Sequence, residues 1–171
     1  MWILKKAFKV SYAHRVFTQD LSEYNLKSKC LNWHGHDSVI EWIIEGNVLD
    51  NGMVLDYNVL KKSVSETHKI IHPEMIDHTL LLSTKDPMFD KIINLYERPS
   101  NLNMLLDLEM EAMISNGLFI HNFVTTAEMM AQFFTEQLYK LVTELDLKNI
   151  HLVSCNFKET LDTDCIYKKL I

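Results

Sequence analysis

The sequence predicts an α+β fold built around an antiparallel sheet. Two segments near the N-terminus alternate apolar and polar residues with the period of two that marks a strand, and a similar segment lies near the C-terminus. Two stretches with helical periodicity lie between them, so the predicted order is strand, strand, helix, helix, strand. Because strands and helices do not alternate regularly, this order favours an antiparallel sheet.

The first two strands are predicted to point one apolar face into the core. Phe8, Val10 and Tyr12 share a face, and the same parity places His14 on it. The second strand covers about 34–45, and its alternation predicts Ile40, Trp42 and Ile44 inside and Asp37, Glu41 and Glu45 outside.

Two helices are predicted from capping residues and apolar spacing. Asp56 can cap the first, whose apolar positions are Tyr57, Leu60, Val64 and Ile71, and Pro73 is expected to end it. The second begins with Thr125-Thr126-Ala127-Glu128, which matches a capping box with Thr125 as the cap.

The middle of the chain, about 86–122, has no regular periodicity over its whole length. Two short helices are expected around Pro99, the second within 102–113, followed by a strand at about 118–123. The last strand covers about 150–159, with Val153, Cys155 and Phe157 on the inner face and Glu159 at its end.

Length and composition exclude several classes of protein. The 171 residues predict one domain spanning 1–171, and the net charge of -6 argues against nucleic-acid binding. No run of about 18 apolar residues predicts a membrane span. Three cysteines without a signal peptide favour the reducing cytoplasm, and they are Cys30, Cys155 and Cys165.

His34-Gly35-His36 is the sharpest local motif. On a strand, residues two apart point to the same face, so both imidazoles can approach one metal ion. An antiparallel neighbour could add His14, giving the three neutral imidazoles that catalytic zinc sites use. The alternative is a set of hydrogen-bonded structural histidines. The histidines without this spacing are expected at the surface or at caps: His68, His72, His121 and His151.

Four further residues could carry chemistry. Cys30, four residues before His34, could act as a base or nucleophile, or be a small buried apolar residue. Asp77-His78 could form a proton relay, in which the carboxylate orients the imidazole. Glu159 on an inner face is costly unless it is hydrogen-bonded or holds a ligand with N–H donors.

Six motifs together resemble the family of 6-pyruvoyltetrahydropterin and 6-carboxytetrahydropterin synthases. They occur in the family's order, and the match spans nearly the whole chain except about 86–117: FKVSYAHR (8–15), CLNWHGH (30–36), GMVLDYNVL (52–60), IDHTLL (76–81), TTAE (125–128) and KET (158–160). The tail with Cys165-Ile166-Tyr167 is most similar to the 6-carboxytetrahydropterin synthases of queuosine biosynthesis.

The resemblance implies a tunnelling fold (T-fold), with a four-stranded antiparallel sheet and two helices on one face. It implies homo-oligomers, as trimers or dimers of trimers, whose sheets close into a barrel with active sites between subunits. The implied substrate is 7,8-dihydroneopterin triphosphate. The implied site residues are His14, His34 and His36 for Zn²⁺, Cys30 as base with Asp77 and His78 as relay, Glu159 as pterin anchor, and Thr125 and Thr126 for substrate binding.

Departures from the family pattern leave the product open between 6-carboxytetrahydropterin and the pyruvoyl compound. A non-catalytic pterin-binding protein is a further alternative. Asp37 follows the HGH motif and could orient His36, although strand parity turns it away. The residues 86–117 are interpreted as an insertion, which could be a lid, a rim for oligomer contacts or a surface addition.

Overall fold

Two strands of 13 residues form the centre of the sheet in the computed structural model, which describes residues 1–62, 70–96, 98–103 and 110–171. Strand β1 (Trp2–His14) pairs antiparallel with β2 (His34–Gly46) without interruption, from Trp2 opposite Gly46 to His14 opposite His34. The predicted alternation is confirmed, since the inner face is buried: Phe8, Val10, Tyr12, Ile40, Trp42 and Ile44.

The described residues contain seven strands rather than the four expected. The others are β3 (Thr79–Ser83), β4 (Ala112–Ser115), β5 (Leu118–His121), β6 (Ile150–Lys158) and β7 (Asp164–Leu170). They form one sheet in the order β4-β5-β3-β1-β2-β6-β7. The sheet is mixed, because β3 runs parallel to both β1 and β5, whereas a purely antiparallel sheet was predicted.

Three α-helices lie within the described residues: α1 (Tyr57–Lys62), α2 (Phe89–Ile93) and α3 (Ala127–Glu144). Leu60 of α1 and the apolar side of α3 belong to the same core cluster as Trp42, so these two helices cover one face of the sheet as expected. The indole N–H of Trp42 donates to the Phe134 carbonyl of α3 at 3.0 Å, which fixes helix and sheet together.

Two predicted helix boundaries are wrong. Thr126, not Thr125, caps α3, because its hydroxyl accepts the Met129 N–H, whereas the Thr125 side chain points into the core. Ile71 is not helical, and Pro73 begins a 3₁₀ turn (Pro73–Ile76) rather than ending α1. Val64 falls within 63–69, outside the described residues.

The segment 86–117 contributes its own small core. Phe89 and Ile93 of α2 pack with Leu82 and Ile120 on the face of β3 and β5 that turns away from α3. The described residues of this segment therefore cover the second face of the sheet at β3 and β5. Of the second short helix expected within 102–113, Leu102 and Asn103 are helical, 104–109 lie outside the described residues, and Met113 already lies on β4.

A hairpin at Asn116-Gly117 joins β4 and β5. Both residues have positive φ angles, 48° for Asn116 and 77° for Gly117. Two-residue turns between antiparallel strands require such angles, and Asn-Gly pairs favour them. Strand β5 confirms the strand expected at 118–123, and β6 confirms the one at 150–159. No helix in the described part of the chain is long and apolar enough to cross a bilayer.

Candidate metal centre and active-site pocket

The three predicted histidines converge at the end of the central strand pair. The register places His14 opposite His34 and Tyr12 opposite His36, so all three rings lie on the inner face. One ring nitrogen from each can be chosen such that the three atoms lie within 4.8 Å of one another. Gly35 allows this arrangement, since a Cβ there would meet the Tyr12 carbonyl oxygen at 3.3 Å.

The imidazoles present free lone pairs in a buried setting. Neither ring nitrogen of His14 has a hydrogen-bond partner among the described residues, and Nε2 of His36 has none there either. His34 donates its Nδ1–H to the Asn32 carbonyl at 2.8 Å, which leaves its Nε2 lone pair available. Buried nitrogens without partners are costly, so this cluster fits a bound cation.

Burial favours the neutral form of His14 and His36. Burial and the neighbouring His34 and His36 lower the pKa of His14 to about 3. Burial also lowers the pKa of His36, although Glu159 opposes that shift. Neutral imidazoles are the form that binds zinc.

Glu159 reaches the same point from the neighbouring strand. It follows β6 directly, and its Oε1 lies 3.5 Å from Nε2 of His14 and 3.8 Å from Nε2 of His36. The inward orientation expected from strand parity is therefore observed. A carboxylate and imidazole nitrogens that lie this close without hydrogen bonds among the described residues suit a cation or hydrogen-bond donors between them.

A pocket of about 340 Å³ opens beside the histidines. Its walls include His14, His34, Cys30, Thr126 and Glu159. Cys30 lies half-buried on a 3₁₀ turn (Lys29–Leu31). The structure thus brings the predicted base, two of the three predicted metal ligands and the predicted anchor to one cavity.

The remaining predicted residues lie elsewhere. The Asp77 carboxylate accepts the Ser11 N–H at 2.7 Å, and its other oxygen is 3.6 Å from Nε2 of His78. His78 is 84% exposed and lines a different pocket, so within one chain it is not beside Cys30. Asp37 accepts the Ser11 hydroxyl at 2.6 Å on the outer face, as its parity predicts, and does not orient His36.

Thr125 is buried and does not line the pocket. Its hydroxyl is 3.0 Å from Nε2 of His121, which is itself fully buried. Burial lowers the pKa of His121 to about 3. His72 is also buried, and it caps the turn at Pro73 by accepting the Glu74 N–H. The prediction that these histidines lie at the surface or at caps is therefore wrong for His121. It is confirmed for His72, which caps a turn, and for His151, which is exposed. His68 lies outside the described residues.

Gln19 and Cys165 line the pocket, although the sequence predicted no role in the site for either residue. Gln19 accepts the Cys30 N–H at 3.0 Å through its side-chain oxygen and so holds the turn that carries the thiol. Cys165 on β7 lines the same pocket. The alternation of Cys165, Tyr167 and Lys169 could have predicted the strand, but its pairing with β6 depends on the fold.

Comparison with known proteins decides the family. The family model described as 6-pyruvoyl tetrahydropterin synthase matches residues 3–169. The chain belongs to this family. The resemblance drawn from the six motifs is therefore confirmed, and a tetrahydropterin synthase type of enzyme is supported at the level of the family.

Individual relatives agree with the family. A 6-carboxy-5,6,7,8-tetrahydropterin synthase of Aquifex aeolicus is 26% identical over 182 residues, covering 98% of each chain. Among solved structures, an uncharacterized protein from Wolinella succinogenes has a TM-score of 0.65 at 22% identity and covers 97% of each chain.

The 6-pyruvoyltetrahydropterin synthase of Plasmodium vivax has a TM-score of 0.59 at 14% identity over the full length of both chains. That of Caenorhabditis elegans has a TM-score of 0.54 at 21% identity and covers 98% of this chain and 95% of that one. At these identities the structures show a shared fold, which confirms the expected T-fold.

Proposed function

We propose that this protein is a zinc-dependent 6-carboxy-5,6,7,8-tetrahydropterin synthase. It would act on 7,8-dihydroneopterin triphosphate in queuosine biosynthesis and release triphosphate and acetaldehyde. The observation that carries the proposal is the convergence of His14, His34 and His36 beside Cys30 and Glu159 at one pocket. The name of the Aquifex relative supports the carboxy product.

The three histidines would hold the zinc ion. The lowered pKa values of His14 and His36 and the ring nitrogens without hydrogen-bond partners in the described residues fit such an ion, and a site of three imidazoles would leave a position for substrate, as in catalytic zinc sites. When bound, zinc supplies a Lewis acid that makes the hydroxyl-bearing side chain of a substrate more acidic. The hydrogen bond from Nδ1–H of His34 to the Asn32 carbonyl orients the ring so that its Nε2 would face the zinc ion.

Cys30 would serve as the base. Its thiolate form can remove a proton from the substrate side chain, because the residue lines the same pocket as His14 and His34. Glu159 would hold the pterin ring, since a carboxylate can accept two parallel N–H bonds from it. Thr126 lines this pocket and would contact the substrate there, whereas Thr125 is buried and does not line it.

Asp77 and His78 would complete the site from another subunit. His78 is exposed and lies in a pocket separate from Cys30, so a second copy of the chain is needed to bring the two together. The Asp77 carboxylate near the imidazole would stabilise the protonated form during proton transfer. We therefore propose a homo-oligomer, a trimer or a dimer of trimers. All three cysteines are free, which fits a cytoplasmic enzyme.

The second candidate function is that of a 6-pyruvoyltetrahydropterin synthase. The description of the matching family model and the names of the Plasmodium and Caenorhabditis structures favour it. That reaction only eliminates triphosphate. The carboxy reaction also consumes one water and cleaves the side chain to acetaldehyde, so the two products differ in composition.

Product analysis tests the proposal. Purified zinc-loaded protein is incubated with 7,8-dihydroneopterin triphosphate, and the products are identified by mass spectrometry together with an assay for acetaldehyde. We expect 6-carboxytetrahydropterin and acetaldehyde in equal amounts. The pyruvoyl compound without acetaldehyde would support the second candidate, and substrate binding without turnover would support a non-catalytic pterin-binding protein.

A further inference from the structure

A buried ion pair joins the segment 86–117 to the metal centre. Arg15 binds Asp86 through two hydrogen bonds, one from Nε to Oδ2 at 2.7 Å and one from its terminal nitrogen to Oδ1. The Arg15 side chain is 15% exposed and that of Asp86 is 3% exposed. A bidentate pair with so little water around it is strong and geometrically specific.

Asp86 is itself firmly anchored. Its N–H donates to the Ser83 carbonyl at the end of β3, and its Oδ1 accepts the Met88 N–H at 2.7 Å. Its own carbonyl accepts the Phe89 N–H at the start of α2. Burial raises the pKa of Asp86, but the bonds from Arg15 and Met88 outweigh it and leave the pKa below its usual value, so the carboxylate stays ionised.

Arg15 contacts both segments that carry the metal ligands. It directly follows His14 in sequence, and its guanidinium lies 5.3 Å from the centroid of the Trp33 ring, which precedes His34. The next residue, Val16, donates its N–H to the Cys30 carbonyl at 2.7 Å. Arg15 therefore follows the end of β1 and contacts the residue before β2, while the backbone of its neighbour Val16 is bonded to the turn that carries Cys30.

We propose that Asp86 is a positioning residue of the three-histidine centre. It holds Arg15, and Arg15 in turn holds Trp33, so that the backbone segments bearing His14 and His34 stay at the separation a metal ion requires. The segment 86–117 then has a defined task, which is to supply this anchor. The inference rests on the proposed metal centre but not on the identity of the substrate.

The test measures metal binding rather than turnover. Zinc affinity is determined by competition with a chromophoric chelator, and the visible absorption of the cobalt-substituted protein reports ligand geometry. For Asp86→Asn we expect an approximately tenfold weaker zinc affinity and shifted cobalt bands, the scale of effect seen for groups behind metal ligands. Arg15→Lys keeps the positive charge but loses the bidentate hydrogen bonds to Asp86 and the stacking on Trp33. We therefore expect a loss of zinc affinity between those of the wild type and Asp86→Asn.

Glu111→Gln is the matched control. Glu111 lies in the same segment 86–117 and forms an ion pair with Lys140 at 3.2 Å. Lys140 is 14 residues beyond Thr126 on α3, which corresponds to roughly 20 Å along the helix axis. This variant should lose a more exposed charge pair of the same segment and keep the zinc affinity and the cobalt spectrum of the wild type.

The outcomes separate clearly. The proposal is overturned if Asp86→Asn binds zinc within about twofold of the wild-type affinity and its cobalt spectrum is unchanged. It is also overturned if Glu111→Gln loses as much zinc affinity as Asp86→Asn. If Asp86→Asn does not fold, Arg15→Lys decides by the same two measurements. Wild-type protein that binds no zinc would contradict the proposed function as well, whereas normal zinc binding in all variants would contradict the positioning role alone.

Discussion

Oε1 of Glu159 lies 3.5 Å from Nε2 of His14, with no hydrogen bond between them among the described residues. The carboxylate is thus placed at the edge of the metal centre and at the wall of the pocket. Its negative charge and free oxygens suit either N–H donors of a substrate or a cation held by the histidines.

Glu159→Gln distinguishes these two tasks. As a pterin anchor, the carboxylate accepts charge-assisted hydrogen bonds, so its loss should raise KM or lower kcat/KM by about tenfold or more. Zinc content should stay at the wild-type level because the three imidazoles remain. Metal analysis and steady-state kinetics on the same preparation provide the test; loss of zinc in the variant would show that Glu159 is a ligand.

His34→Ala should remove the metal. The wild type is expected to hold about one zinc per chain, and loss of a ligand should weaken binding by more than the ~100-fold that outer groups can cost. His151→Ala is the control, since His151 lies exposed on β6 and contacts Asn47. Metal analysis after dialysis provides the comparison; full activity of thoroughly chelated wild type would rule out the zinc mechanism.

Cys30→Ala should abolish turnover while leaving zinc bound. Removing a positioned base costs about 10²- to 10⁴-fold in rate. Cys165→Ala is the matched control, because this thiol lines the same pocket and would not serve as the base. Turnover and zinc content are measured on both variants, and an equal effect of the two substitutions would argue against a specific role of Cys30.

Mixed oligomers test whether the site is shared between subunits. Cys30→Ala and His78→Ala chains are each expected to be inactive. If each site takes Cys30 from one chain and His78 from another, random co-assembly restores about one quarter of the sites. Co-expression with two affinity tags allows the mixed oligomers to be purified and assayed. No recovery in verified mixed oligomers would place both residues in one chain's site.

His72 should make stability depend on pH. Burial lowers its pKa in the folded protein below 6.5, although the Leu60 carbonyl opposes the shift. Below about pH 6.5, His72 binds a proton in the unfolded chain but stays neutral in the folded protein. The free energy of unfolding therefore decreases as the pH falls, by up to about 1.4 kcal/mol per pH unit from this group. His72 packs edge-on against Phe8 at 4.6 Å and Trp42 at 5.4 Å, which explains its burial.

The variant His72→Gln isolates this contribution. It keeps hydrogen-bonding capacity without titrating, so its free energy of unfolding should fall less steeply with pH between 6.5 and 5. Denaturant unfolding of zinc-loaded wild type and variant at several pH values provides the slopes. Equal slopes would show that His72 does not titrate between the two states.

Much of the site could be predicted because strand parity is a local property. Alternation fixed which face His14 and Glu159 occupy, and the HGH spacing placed two imidazoles side by side. The convergence of the three histidines then required only that β1 and β2 pair in the observed register, which a shared buried face favours. Strand β4 could also have been predicted, because Asn116-Gly117 lies between two apolar runs.

The sequence by itself therefore determined the central strand pair, helix α3 and the ligand-bearing face. Only the tertiary structure decided that β3 lies parallel to β1, that His121 is buried beside Thr125, and that Asp86 binds Arg15. It also decided that His78 lies away from the pocket of Cys30. The periodicity of a sequence indicates only which face of a strand or helix a residue occupies. The contacts above join residues far apart in the chain, so they depend on how whole strands and helices pack.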